Sequence, residues 1–340
     1  MKALVIRFSS LGDCILLCPL LAHLKAAGAE EVAVVTKTRF AEVFANAVGV
    51  DRVVAFDPTA GTTGLLRIAR DLRPGGYTVI DAHNNWRSRL LSWRLGGADA
   101  RARKFYRERL GLIVFKRHTE IPSILEQYAR LAAVSGSSAP ALAPGAIRVP
   151  ASAVERVATT PIPSGRRAVA LAPGTRWPMK RWGAEHYLAL ARSLANAHGC
   201  HVVLLGDDND AALTGAIAAE LGERCTDVAG RTTLMETAAW IRRCDGFVGN
   251  DSGLMHLSEA VGVPVLGLFG PTVDAFGYYP TLPESKTVER ALPCRPCSRN
   301  GSRPCPRATQ ECLAGIDAAF VEAVVVDMLE RRGARRYQLQ

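Results

Sequence analysis

The sequence predicts an α/β protein in two halves, on three observations. Its 340 residues are about twice the usual length of a single domain. Short apolar runs alternate with amphipathic stretches of helical period. That alternation stops in a segment rich in Pro, Ala, Ser and Thr, 137–165, and restarts at Arg167. Alternation of this kind builds βαβ units, hence a parallel sheet with helices on both faces. In the first half Ala3–Phe8, Glu31–Thr36, Val53–Phe56 and Tyr77–Ala82 are the expected strands, with helices over 14–27, 38–47 and 64–73. In the second, Ala168–Ala172, His201–Gly206, Gly246–Gly249 and Val263–Phe269 are the strands, separated by helices over 183–198, 209–221, 234–243 and 253–261. A Cys/Pro/Arg-rich loop, 290–312, precedes a final apolar helix over 316–332. Two Rossmann-like halves joined by a linker place a ligand cleft at the carboxyl ends of their strands.

Composition bounds the class. Hydrophobic residues make up 48% and charged residues 22%, which excludes disordered, fibrous and collagenous chains. No apolar stretch approaches the ~20 residues of a spanning helix; the first, Cys14–Leu21, follows Asp13 and is broken by Pro19. Lys2–Phe8 followed by a Gly-Asp turn reads as a buried strand rather than an export signal. Five of the nine cysteines (Cys14, Cys18, Cys200, Cys225 and Cys244) sit in apolar segments as buried thiols, and the odd count argues for a reducing cytoplasm.

The net charge of +10 is concentrated in the first half, which carries +9 through residue 150 against +1 beyond it. Between Arg87 and Arg117 ten basic residues meet only Asp99 and Glu108. That cluster suits a phosphate-rich partner or an anionic surface, or is simply a solvated basic face.

Four segments carry candidate chemistry. Ser9-Ser10-Leu11-Gly12-Asp13 follows the first strand and opens a helix, so Asp13 is either a helix N-cap or a general base at the cleft. The absence of G-x-G-x-x-G there excludes the nicotinamide fingerprint. Pro173-Gly174-Thr175-Arg176-Trp177-Pro178-Met179-Lys180-Arg181-Trp182 offers Thr175 as a donor, Lys180 and Arg181 as cations and two indoles as shields, a set suited to a diphosphate. Asn250-Asp251-Ser252-Gly253-Leu254-Met255-His256 is a strand–turn–helix whose free N–H groups would hold an anion, with Asp251 or Ser252 as cap and His256 one turn on. Asp207-Asp208-Asn209-Asp210 is a D-x-D better explained as a cap than as a metal site, with Asp207 or Asp208 available to a ribose hydroxyl. Cys294, Cys297, Cys305 and Cys312 have the spacing C-x₂-C-x₇-C-x₆-C, whose second pair departs from common zinc spacings; the alternatives are a zinc set, an iron–sulfur cluster and a reduced loop without metal.

Asp13 within SSLGD, Lys180 within PGTRWPMKRW, NDSGLMH at 250–256 and FGPT at 269–272 together resemble glycosyltransferase family 9, the bacterial ADP-heptose:lipopolysaccharide heptosyltransferases. The motifs stand in family order along nearly the whole chain. The resemblance implies the GT-B architecture, two Rossmann-like domains with parallel sheets facing a central cleft. It divides the chain into an acceptor domain at 1–160, a nucleotide-sugar donor domain at 161–315 and a C-terminal helix, 316–340, packing back on the first domain. It implies Asp13 as the catalytic carboxylate, and Thr175 and Lys180 on the donor diphosphate. Asp251, Ser252, Gly253 and His256 form the donor-contacting turn, and Arg87, within Asp81–Arg89, meets acceptor phosphate or carboxylate.

The implied reaction is inverting transfer of heptose from an ADP-sugar to the lipid A–core oligosaccharide, with no cofactor and no nucleic-acid partner. The serine of NDSG leans towards the second heptosyltransferase. An anionic membrane surface becomes the implied partner of the basic 87–117 stretch, where Trp86, Trp93, Phe105 and Tyr106 interleave. The location that follows is cytoplasmic, on the inner face of the inner membrane. Rival readings are a sugar-nucleotide epimerase on the same scaffold and an Arg-rich nucleic-acid binder, which would show steep salt dependence.

Overall fold

The computed structural model describes every residue except 118, 137–143, 339 and 340, and the backbone alone for 333–338. The chain divides into two compact units, Met1–Tyr106 with Ile121–Arg148, and Arg107–Glu120 with Val149–Gln340.

The first unit contains β1 (Lys2–Ile6), α1 (Leu11–Ala26), β2 (Glu31–Lys37), α2 (Ala41–Ala45), β3 (Arg52–Phe56), α3 (Gly61–Leu72), β4 (Thr78–Asp81), α4 (Trp86–Arg94) and β5 (Ala100–Arg101). α5 (Tyr106–Phe115) begins at its boundary, and α6 (Ile124–Ala129) returns to it. The sheet is parallel in the order β3-β2-β1-β4-β5. β1 and β2 are buried on both faces, which is why they read as continuous Val/Ile/Leu/Ala runs rather than alternating ones. α1 is buried at every position from Gly12 to Leu21, so its sequence carries no amphipathic stripe. On one face of the sheet Leu65, Ala69 and Leu72 of α3 and Leu91 of α4 pack on Leu4, Ile6 and Val79.

The second unit holds α7 (Ala151–Ala158), β6 (Ala168–Ala172), α8 (Ala184–Asn196), β7 (His201–Leu204), α9 (Ala211–Leu221), β8 (Cys225–Asp227), α10 (Leu234–Arg242) and β9 (Gly246–Asn250). α11 (Gly253–Ala260), β10 (Val265–Phe269), β11 (Lys286–Glu289), α12 (Glu311–Ala314) and α13 (Ala318–Gln338) complete it. Its parallel sheet runs β11-β10-β9-β6-β7-β8. In both sheets the strand order reverses beside the first strand, between β1 and β4 and between β6 and β9. In doubly wound sheets that reversal opens a crevice at the carboxyl edge, where ligands bind.

Several elements differ from the sequence reading. The edge strands β5, β8 and β11 span only two to four residues and lack a distinctive apolar run. The segment 137–165 contains α7, whose Ala153 and Val157 are buried; its first part, 137–143, lies outside the described residues. The units part at Arg148, and 107–120 group with the second, whereas motif order had put the boundary at 160. The final helix buries Val321, Val325, Met328 and Leu329 in the second unit's core. Among the described residues no helix is long and apolar enough to cross a membrane.

Candidate active site

In the first unit, β1 runs straight into the candidate base. Ser10, rather than Asp13, is the N-cap of α1, and Asp13 is its third residue. The Asp13 carboxylate reaches back as the acidic half of a capping box: Oδ2 accepts from Ser10 N at 3.0 Å and from Ser10 Oγ at 2.6 Å. Its other oxygen, Oδ1, lies 2.7 Å from Arg7 Nη2, and both side chains are nearly buried. Arg7 also donates to the Ala82 carbonyl at 2.6 Å, crossing the switch point from β1 to β4, and its guanidinium lies 5.8 Å from the Tyr128 ring centroid. Capping and a charged site therefore coexist in one carboxylate, where the sequence had posed them as alternatives.

Beyond β4, Asp81 Oδ1 accepts from His83 N at 3.1 Å and Asn84 N at 2.7 Å, folding the turn. His83 is buried against Phe8, with ring centroids 5.6 Å apart. Burial, then the positive charge of Arg7 and Lys104, pushes its imidazole down to about 3, so the ring is neutral near pH 7. Asn85 caps α4 through Ser88 N at 2.9 Å. That cap makes Arg87 the second residue of the helix, half-buried, with its guanidinium 4.4 Å from the Trp86 ring centroid. Asp13 and Arg87 thus follow adjacent strands at one sheet edge.

In the second unit, Lys180 and Asp251 meet. Lys180 Nζ lies 2.5 Å from Asp251 Oδ2, both side chains about nine-tenths buried, although 71 residues separate them. Thr272 Oγ1 of the FGPT turn donates to the same oxygen at 2.8 Å. Asn250 stitches the two loops together: its Oδ1 accepts from Trp182 N at 3.0 Å and its Nδ2 donates to the Pro173 carbonyl at 2.8 Å. The β6 and β9 turns are held at a fixed separation across the second switch point.

Around this pair the expected residues divide. Ser252 occupies the N-cap of α11 but makes no cap bond, and its Oγ is buried without a partner. The first N–H groups of α11, from Gly253, are therefore not claimed by a cap side chain. His256 is buried in the first turns, 6.1 Å from the Tyr278 ring. Thr175 is half-buried; its carbonyl accepts from Arg181 Nε and Nη2, both at 3.1 Å, so Arg181 closes the loop. Trp182, expected to shield a ligand, is a core side chain, 1% exposed, donating to the Ile316 carbonyl at 3.0 Å.

Gly174 is required by a close approach, because a Cβ there would stand 1.9 Å from the Asp210 carboxylate. Asp210 is itself buried, which raises its carboxyl above the usual range. Asp207 caps Asn209 N at 2.9 Å, and Asp208 Oδ1 lies against Gly230.

The cysteine loop closes over this region. Gly301 adopts φ +79°, and a Cβ on it would meet Lys180 Cγ at 2.8 Å. Buried Arg295 fastens the loop to the FGPT turn, donating to the carbonyls of Gly270 and, at 2.8 Å, Thr272, and pairing with Glu289 at 2.5 Å. Lys116 donates to the Cys294 and Pro296 carbonyls at 2.8 and 2.6 Å. Burial, then the neighbouring Cys297, pushes the Cys312 thiol up to about 11. Among the described residues no group of three or more His, Cys, Asp or Glu is arranged to hold a metal ion. Sequence reasoning missed Arg7, Tyr128, His83, Thr272 and Arg295, although Thr272 lay inside FGPT, His83 inside Asp81–Arg89 and Arg295 inside the cysteine loop.

Comparison with known proteins gives the family and the fold. The model of glycosyltransferase family 9 (heptosyltransferase) matches residues 65–306. Lipooligosaccharide heptosyltransferase 2 of Haemophilus influenzae is 37% identical over 132 residues, 37% of this chain and 37% of that protein. Lipopolysaccharide heptosyltransferase 2 of Salmonella typhimurium is 37% identical over 118 residues, 33% of this chain and 34% of that one. These alignments span about a third of the relatives' length. The solved structure of E. coli ADP-heptose LPS heptosyltransferase II has a TM-score of 0.77 at 24% identity, covering 98% of this chain and 100% of that one. E. coli heptosyltransferase WaaC with ADP has a TM-score of 0.72 at 21% identity, covering 96% and 100%. The fold of these structures, GT-B with two parallel-sheet domains, is the fold of this chain. With its family model matched from 65 to 306, the chain belongs to glycosyltransferase family 9.

Proposed function

We propose that the protein is an inverting heptosyltransferase that moves heptose from ADP-heptose to the inner core of lipopolysaccharide, with an activity like that of heptosyltransferase II. What supports the reading is that each switch point carries the group its half of the reaction needs. The first has a nearly buried carboxylate on Asp13, and the second a lysine beside a helix N-terminus with no cap bond. Asp13 takes the proton of the acceptor hydroxyl as its oxygen attacks the anomeric carbon from the face opposite the diphosphate. The bond from that carbon to the diphosphate oxygen breaks, and ADP leaves with the electron pair. Lys180, Thr175 and the N–H groups from Gly253 receive the charge developing on the diphosphate. Asp251, Ser252 and His256 contact the donor sugar and phosphates, Asp207 or Asp208 the ribose, and Arg87 an anionic group of the lipid A–core acceptor. The reaction runs on the cytoplasmic face of the inner membrane, with the protein bound peripherally to the anionic lipid surface.

Asp13→Asn tests the assignment. It keeps a capping oxygen for Ser10 but removes the proton acceptor, so transfer should fall ~10²-fold or more while ADP affinity is retained. Because Arg7 then loses its counter-charge, the double change Arg7→Gln/Asp13→Asn is the stability control: it should recover melting temperature and not transfer. Transfer within a few fold of wild type would remove Asp13 from the chemistry. Product formed without acceptor would instead favour the epimerase reading.

A further inference from the structure

Apart from Arg87, assigned above to the acceptor, the outer face of α3 and α4 has no part in the chemistry above, yet its charge is one-sided. Residues 61–75 and 86–94 carry six arginines (Arg67, Arg70, Arg73, Arg87, Arg89 and Arg94) and one acid, Asp71. Arg70 shares Asp71 at 3.3 Å, but both are largely exposed, so water screens the pair. Between the helices lies a depression of about 330 Å³ lined by Leu66, Ala69, Arg70, Arg73, Pro74 and Arg94. Three guanidinium groups therefore surround an apolar floor.

Large apolar side chains extend the floor outward. Trp86 and Trp93, seven residues apart on α4, are 57% and 66% exposed, and Leu66 on α3 is 37% exposed. Each indole has a guanidinium beside its face, Arg87 at 4.4 Å and Arg94 at 4.8 Å. Leaving two tryptophans in water forgoes the burial that usually drives their placement. An indole sits well at the headgroup level of a bilayer, and arginines beside it gain from anionic lipid at ~1 kcal/mol each. α4 starts at the sheet edge that follows β4, next to the edge that carries Asp13, so the stripe from Trp86 to Trp93 begins at the proposed acceptor end.

We infer that the α3–α4 face is the docking surface for an anionic phospholipid bilayer, with a headgroup phosphate seated among Arg70, Arg73 and Arg94 and the Trp86–Trp93 stripe at the headgroup level. The choice of a membrane over other polyanions rests on the lipid-linked acceptor proposed above.

The test is co-sedimentation of the full chain with phosphatidylcholine vesicles, with and without about one part in three phosphatidylglycerol, read without donor or acceptor. Wild type should partition onto the anionic vesicles only. Arg70→Gln/Arg73→Gln should weaken partition ~10-fold or more, and Trp93→Ala several-fold, with transfer to a lipid-free core oligosaccharide unchanged. Trp93 and Arg70 are exposed, so neither variant threatens folding. Equal binding to both vesicle types, full retention by both variants, or binding to a charge-matched oligonucleotide with none to vesicles would each overturn the inference. A protein that partitions this way but transfers no heptose would leave the docking surface standing and defeat the proposed activity instead.

Discussion

Removing Lys180 should damage stability and donor binding by separable amounts, and the contact with Asp251 sets both. The pair is 2.5 Å apart, with side chains 11% and 8% exposed. Lys180→Met leaves the Asp251 carboxylate with Thr272 Oγ1 at 2.8 Å as its remaining side-chain donor. Breaking a buried ion pair from one side destabilises by about 3–5 kcal/mol, mostly the penalty of the stranded charge. Lys180→Met/Asp251→Asn strands no charge and should recover most of that loss. ADP affinity should behave differently. A charge-assisted hydrogen bond to phosphate contributes about 1.5–3 kcal/mol, so the single variant should bind ADP at least ~10-fold more weakly. It should also bind more weakly than the double variant, because only the single variant sets a bare carboxylate against the incoming diphosphate. Urea unfolding gives the first quantity and titration calorimetry with ADP the second. If Lys180→Met is as stable as wild type, the pair contributes nothing as drawn. If it also binds ADP as wild type does, the phosphate assignment falls.

Two further outcomes follow from buried groups. His83 ionises at about 3 in the folded chain against 6.5 as its ordinary value, so unfolding takes up a proton on acidification. Stability is therefore full above pH 6.5 and lost as pH falls towards 3, by up to about 4–5 kcal/mol, and His83→Gln should flatten the urea midpoint over that range. An unchanged slope in the variant would show that His83 is not the group responsible. Gly174→Ala would drive a Cβ to 1.9 Å from the buried Asp210 carboxylate, and should cost about 1–3 kcal/mol in urea unfolding and weaken ADP binding by displacing the 173–175 turn. A variant with wild-type stability and affinity would mean that Asp210 moves aside freely.

How far the sequence could be read depended on the range of each interaction. β1, β2, β6 and β9 were legible because a central strand buried on both faces must be apolar along its length. The edges β5, β8 and β11 were not, because two to four residues at a sheet margin carry no such requirement. Asp13 and Lys180 were legible as members of local motifs. Their partners were not: Arg7 sits across a turn, just past the end of β1, and Asp251 lies 71 residues from Lys180. Spacing along the chain says nothing about which cation meets which carboxylate. The role of Trp182 was misjudged for the same reason, since its partner, the Ile316 carbonyl, is 134 residues away.

Those unforeseen partners bear on the chemistry. At both switch points the candidate functional group is already engaged by an opposite charge: Asp13 by Arg7, Lys180 by Asp251. A nearly buried lysine without a counter-charge would be expensive to keep in the fold, so Asp251 stabilises the cation while no donor is bound. On the proposed reaction, a diphosphate arriving at Lys180 exchanges one anion for another, and the desolvation has already been met in folding. The displaced carboxylate keeps Thr272 as a donor and turns to the hydroxyls of the sugar. Donor recognition at this site is then an exchange of partners around one buried cation, and its strength depends on Asp251 having somewhere favourable to go.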